Sequence, residues 1–287
     1  MKRREFLEAT AASLLLAGCG GGGSNPPLSA TASLRIGTGA VYASDQDGNR
    51  YRASVSAHTV ARLDANGTPV WTVGRRGTGP LQFDHPADLA VDRLGRVLVV
   101  DRGNARVQIL DAATGQYRGA FGKSGSGSGQ FRLARFIAVA RDRIYVSNQF
   151  NFRVEVFDLD GRPLSPIGRQ GNAPGEFDLP RGVAVDRWGD LYVADGRRIQ
   201  RFAPDGHFEA RADGGNVANP RGIAIDADDE LWVADGAARR VRVLTLQGGL
   251  VQSLPTRLAT GAPAAPHAVA PVGADVFVNA LADGPVA

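Results

Sequence analysis

Sulfur, histidine and aromatic rings are scarce in this sequence. Its 287 residues include one cysteine, one methionine and four histidines, and Phe, Trp and Tyr make up 7%. A single thiol, Cys19, excludes an intramolecular disulfide. No Gly-x-Ser-x-Gly elbow occurs, so a common serine-nucleophile signature is missing. Charge of one sign is also missing. The chain has 33 basic and 29 acidic side chains, and the first eight residues hold Lys2, Arg3, Arg4, Glu5 and Glu8. The other 30 basic and 27 acidic groups describe a mixed surface, which argues against a nucleic-acid-binding protein. The apolar stretch at residues 11–17 falls well short of the roughly 20 residues needed to span a bilayer.

What the chain does have is 37 glycines, 16 prolines and short Val- and Ile-rich runs set at a long period. Ser54, Asp101, Asn148, Asp195, Asp235 and Asn279 close equivalent strands, at steps of 47, 47, 47, 40 and 44 residues. A period of 40 to 50 residues made of strands and turns is that of a β-propeller blade. The spacing therefore predicts an all-β, six-bladed β-propeller over residues 33–287. The last repeat shows only two clear strands, Ala268 to Ala270 and Val276 to Asn279. An open edge there would leave backbone groups unpaired. Ser33 to Gly37 aligns with the outer strands of other repeats and is expected to close the last blade.

Residues 1–18 read as a signal peptide: a basic Lys2-Arg3-Arg4 start, a short apolar region, then Leu16-Ala17-Gly18-Cys19. Leu-Ala-Gly-Cys resembles a bacterial lipobox, which implies cleavage before Cys19 and its lipidation. Arg3-Arg4-Glu5-Phe6-Leu7 resembles a twin-arginine export motif, which implies export of a folded chain. Residues 19–32, with Gly20 to Gly23 and Pro26-Pro27, read as a flexible tether. The expected location is the extracytoplasmic side of a bacterial membrane, held by the lipid anchor alone.

Gly182 to Val185, the turn Asp186 to Asp190, Leu191 to Asp195 and Ile199 to Phe202 make up one complete repeat. With Pro180 in front, this resembles the NHL repeat, and so do Pro86 to Leu110, Pro220 to Leu244 and, more loosely, Leu133 to Phe157. The resemblance implies a propeller used as a binding platform. It does not name a ligand, because function lives in sites carried by a fold.

The stretch Gly122-Lys123-Ser124 is no phosphate loop, since Tyr117 stands where a Walker A motif needs its first glycine. It recurs around Gly74 and Gly168, each time ahead of a phenylalanine (Phe83, Phe131, Phe177), and reads as the connection between blades with Phe as a core anchor. Arg106, Arg153, Arg198 and Arg240 also recur and are expected to bridge neighbouring blades.

The candidate site is the slot that begins each innermost strand: Ala40, Ala87, Arg135, Arg181, Arg221 and His267. Six-fold geometry gathers this slot at one channel mouth. Guanidinium groups there suit carboxylate or phosphate. Counting around the turns sets Arg181 opposite Asp195, Arg221 opposite Asp235, Arg135 opposite Asn148 and His267 opposite Asn279, with Asp101 facing Ala87. This predicts a charge-neutral, hydrogen-bonding ring in which Arg135 and Asp101 lack counter-charges.

Two enzyme alternatives remain open. Six-bladed peptide-amidating lyases bind zinc at the axis through three histidines, but His58, His85, His207 and His267 fall in different slots and are not expected to converge. Lactonase-like propellers hold axial calcium on acidic and amide side chains, a ring that Asp101, Asn148, Asp195, Asp235 and Asn279 could imitate. The expectation is therefore a monomeric binding or scaffolding module for a protein, a peptide or an anionic small molecule, with no cofactor. The alternative is a metal-dependent hydrolase or lyase using the same mouth.

Overall fold

The computed structural model describes residues 33–140, 142–272 and 275–281. The expected signal peptide, the tether and Cys19 lie outside them. Strands and turns account for nearly all of the described chain; the helical content is two single 3₁₀ turns, Arg102–Asn104 and Gln149–Asn151. The fold is a six-bladed β-propeller.

Blade 1 runs Ala40–Ser44, Arg50–Ser54, Thr59–Leu63 and Pro69–Val73 from axis to rim. Blade 2 follows with Pro86–Val91, Arg96–Asp101, Arg106–Asp111 and Tyr117–Phe121. Blade 4 is Pro180–Val185, Leu191–Asp195, Arg198–Phe202 and Phe208–Arg211, and blade 5 is Pro220–Ile225, Glu230–Asp235, Arg240–Thr245 and Leu250–Pro255. Blade 3 stops at three strands, Ala134–Val139, Arg143–Asn148 and Arg153–Asp158. Pro163 and Pro166 explain the gap, because proline has no N–H to give a ladder. Isolated bridges from Ile167 to Val154 and from Pro163 to Phe157 cover that edge instead.

Blade 6 pairs Ala265–Val272 with Asp275–Leu281, and Ser33–Gly37 completes it. The N-terminal strand closes this blade, as expected, but not in the fourth position of the outer strands it aligns with. It lies third from the axis and parallel to Asp275–Leu281, with Ser33 against Asp275 and Gly37 against Asn279. It supplies the third strand that the C-terminal repeat lacks. Ile36 packs there against Val276, Val278 and Val241.

In blades 1, 2, 4 and 5 the turn between the first two strands is an Asx turn, built on Asp45, Asp92, Asp186 and Asp226. Asp92 Oδ1 accepts the amides of Leu94 and Arg96, and Asp186 Oδ1 accepts those of Trp188, Gly189 and Asp190. Blade 5 lacks the turn glycine, so Asp229 takes the left-handed position at φ 60°. The core lies between the blades. Phe83, Phe131 and Phe177, on three successive connections, are wholly buried.

Candidate functional site

The geometry of the mouth starts from a proline. In blade 4, Pro180 rather than Arg181 pairs with Asp195, and regular pairing resumes only at Val183 with Val193. Blade 5 repeats this: Pro220 pairs with Asp235, and pairing resumes at Ile223 with Val233. Ala134 pairs with Asn148 in blade 3, Pro86 with Asp101 in blade 2, and Ala268 with Asn279 in blade 6. A β-bulge therefore follows the first residue of the inner strand in blades 2 to 5, and the second, Pro266, in blade 6, and drops the next one out of the ladder. The residues dropped include Arg135, Arg181, Arg221 and His267.

This overturns the cross-strand pairing expected from counting alone. Asp195 is buried and accepts the amides of Asp178 and Leu179 and the guanidinium of Arg198. Asp235 is bound by the amides of Ala218 and Asn219 and by Arg242 at 2.8 Å. Asp101, expected to be an unpaired acid, accepts from Asn104, Gln108 and Arg106, the last at 2.9 Å. Asn148 accepts the amides of Arg132 and Leu133 and donates to Glu155, which holds Arg153 at 2.6 Å. In blade 3, where Asn148 stands in place of Asp, Glu155, two residues beyond Arg153, restores the missing charge. These four side chains are thus spent inside their blades, and the axial calcium ring they could have formed is not there. Asn279 does line the channel, with its Oδ1 buried and without a hydrogen-bond partner among the described residues.

The recurring arginines secure the incoming connections. Arg106 donates to the carbonyls of Gly79 and Gln82, Arg153 to Ser126 and Gly127, and Arg198 to Asn172 and Glu176. Blade 5 departs from this, with Arg242 on the acid and Arg240 turned to Ser253.

With its acids turned inward, the mouth is cationic. Arg135, Arg181, Arg221 and the half-buried Arg102 make no ion pair among the described residues. Burial, reinforced by the neighbouring charges of Arg102, Arg181 and Arg221, pulls the Arg135 guanidinium down to about 10. Burial also lowers Arg181, followed by Arg221 beside it, against the opposing pull of Asp195 and Asp178, while Arg221 is lowered by burial alone. Arg135 nonetheless stays charged at neutral pH, and its hydrogen bond goes to Nε2 of His267, 2.7 Å away. Arg181 donates to Asn219 Oδ1. Burial first, then these arginines, push His267 down to about 3, so its ring is neutral. The expected charge-neutral ring is instead a basic cluster.

Two residues outside the expected set shape the site. Arg102 joins the cluster from the turn after Asp101, where the other blades carry Gln149, Gly196 and Gly236. Phe136 forms the floor. Its ring reaches from blade 3 to His267 in blade 6, at a centroid distance of 5.8 Å, and to Gly222 in blade 5. A Cβ at residue 222 would lie 3.2 Å from the Phe136 ring and 2.7 Å from the backbone of Ala268, so only glycine fits there. Elsewhere the channel holds a cavity of about 260 Å³ lined by the inner strands, with Asp88 as its only charged side chain. Burial pushes the Asp88 carboxyl up to about 7 against its hydrogen bond from Ile137, 3.0 Å away.

The histidines also depart from expectation. His58 and His85 do converge, with ring centroids 5.2 Å apart, where blade 1 meets blade 2. His207 stays on an outer turn beside Asp205.

Fold and mouth together define a six-bladed β-propeller with an arginine-lined opening, and the comparisons with known proteins agree on the propeller fold. The NHL repeat profile matches residues 83–110, and a family described as a 6-bladed beta-propeller matches residues 134–211. NHL repeat-containing protein 3 of Homo sapiens is 29% identical over 182 residues, which cover 58% of this chain and 47% of that protein. The chain thus spans about half the length of the curated relatives it matches.

Among solved structures, a gluconolactonase from Xanthomonas campestris aligns at TM-score 0.63 and 19% identity, over 85% of this chain and 83% of its own. A chain of the nidogen/laminin complex aligns at 0.61 and 17%, over 83% of both chains. Virginiamycin B lyase from Staphylococcus aureus aligns at 0.59 and 16%, over 84% of this chain and 78% of the enzyme. At such identities the likeness is one of fold.

Proposed function

We propose that this chain is a lipid-anchored, extracytoplasmic propeller that acts as a monomeric binding or scaffolding module. Its arginine-lined mouth takes up a carboxylate-bearing peptide or small molecule. The Leu16-Ala17-Gly18-Cys19 sequence supports the anchor, and the mass of the mature N-terminus tests it. The fold is shared with a lactonase, a lyase and a chain from a protein complex, so the fold alone does not select a role. The mouth does. One observation carries the reading: Arg102, Arg135, Arg181 and Arg221 share a partly buried opening with no carboxylate paired to any of them among the described residues. Uncompensated charge held out of water favours an anion that can supply what the protein withholds.

Titration calorimetry with citrate as the probe tests this. Citrate should bind the wild type, and the double variant R135A/R221A should lose at least tenfold in affinity with its melting temperature nearly unchanged. Equal binding by the two proteins would refute the assignment. The alternative, a metal-dependent hydrolase or lyase at this mouth, needs three converging ligands, and His267 is the only histidine placed there.

A further inference from the structure

The repeats serve as one another's controls, and blade 2 breaks their pattern at a single point. Ahead of the inner strand of blades 3, 4 and 5, two successive amides donate to the buried Asp or Asn of that blade. They are Arg132 and Leu133, Asp178 and Leu179, and Ala218 and Asn219. In blade 2 only Asp84 does so, at 2.7 Å from Asp101. The amide of His85 turns away and donates to Nδ1 of His58, 3.2 Å off, across the junction with blade 1. His85 adopts a left-handed φ of 53° to do this, which Leu133, Leu179 and Asn219 do not.

Three metal-ligating side chains meet at this departure. One donor atom each from His58, Asp84 and His85 lies within 4.8 Å of the other two. Nδ1 of His85 is 2.9 Å from Asp84 Oδ1, and Nδ1 of His58 is 4.0 Å from it. Ligands bound at about 2.1 Å around a tetrahedral ion stand about 3.4 Å apart, between these two values. Asp84 Oδ1 is buried yet receives no hydrogen bond from the described residues, although the exposed Arg76 stands 3.3 Å away. Gly103 fixes this aspartate from behind. Its amide donates to the Asp84 carbonyl at 2.7 Å, and a Cβ there would sit 2.5 Å from the Asp84 carboxylate.

We propose that His58, Asp84 and His85 form a binding site for a late first-row divalent cation of the zinc class, clamping blade 1 to blade 2. Two imidazoles and one carboxylate suit such ions better than calcium or magnesium, which prefer all-oxygen shells. His58 Nδ1 accepts an amide proton in the ion-free protein, so its lone pair already faces the site, and the ion replaces that weak donor. The His85 side chain is 44% exposed, which leaves a path for entry and coordination positions open to solvent. Arg102 precedes Gly103 directly, so the site lies on the same rim as the arginine cluster.

The test is zinc titration of the full chain in a Cys19→Ser background, where no thiol competes, read by calorimetry and by thermal melting. One ion per chain should bind and raise the melting temperature. H58N and H85N, both able to keep the left-handed backbone, should each weaken binding at least tenfold. H207N should change nothing. R76A, which removes the competing cation, should tighten binding. Cobalt(II) on the same chain, with histidines intact, should show visible d–d bands that one equivalent of zinc abolishes. Absence of stoichiometric uptake, or uptake that survives both H58N and H85N, would overturn the site.

Discussion

Arg135 in blade 3 donates to Nε2 of His267 in blade 6, 2.7 Å away across the mouth. In a six-bladed ring these blades stand opposite each other, so one hydrogen bond spans the opening. It also fixes the chemistry of the imidazole. Nε2 must keep its lone pair, and the ring must stay neutral among the arginines around it.

That neutrality can be measured. The His267 ring resonances should not move between pH 8 and pH 5, because its midpoint is displaced to about 3. The unfolded chain takes up a proton near pH 6.5 and the folded chain does not, so this group costs the fold stability as pH falls through that window. R135M should bring the midpoint back toward the ordinary value. A midpoint near 6.5 in the wild type would mean that the ring is open to water and not crowded by the guanidinium groups.

The bulge makes opposite predictions for two residues that simple counting would pair. Asp195 is buried and satisfies two amides and Arg198, so D195A should cost about 3–5 kcal/mol in denaturant unfolding. Arg181 makes no ion pair among the described residues, although Asp195 and Asp178 lie near enough to favour its charge, so R181A should cost no more than about 1 kcal/mol. Equal losses would show that the two residues are paired after all.

Asp88 sets a second pH dependence, of opposite sign to that of His267. Burial raises its carboxyl to about 7, so between pH 4 and pH 7 the folded chain holds a proton that the unfolded chain has released. Stability should therefore fall as pH rises through this window, by roughly 3 kcal/mol for this group. D88N should remove the slope, stabilising the protein at pH 8 and changing little at pH 4. An unchanged slope would mean that Asp88 meets more water than its place in the channel implies.

Periodicity alone made much of this molecule readable. Steps of 40 to 47 residues gave the blade number, and the slot after the strand-opening residue did bring Arg135, Arg181, Arg221 and His267 to one mouth. What failed was the assumption of an unbroken ladder. Arg181 and Asp195 are in register by arithmetic, and a bulge of one residue sets Pro180 opposite Asp195 instead. No residue type announces that bulge. Phe136 occupies a position where blades 4 and 5 carry Gly182 and Gly222, and that contrast was the available signal for a floor. His58 and His85 belong to different repeat positions and meet only because one amide flips, which periodic reasoning cannot reach.

Everything functional here depends on an arginine cluster that makes no ion pair with the carboxylates of the described residues. A crystal soaked in selenate, with anomalous data collected at the selenium edge, tests that most directly. The account predicts one strong peak over Phe136, within hydrogen-bond distance of at least two guanidinium groups among Arg102, Arg135, Arg181 and Arg221. A mouth empty of anomalous signal, with these arginines bound instead to protein carboxylates, would contradict it.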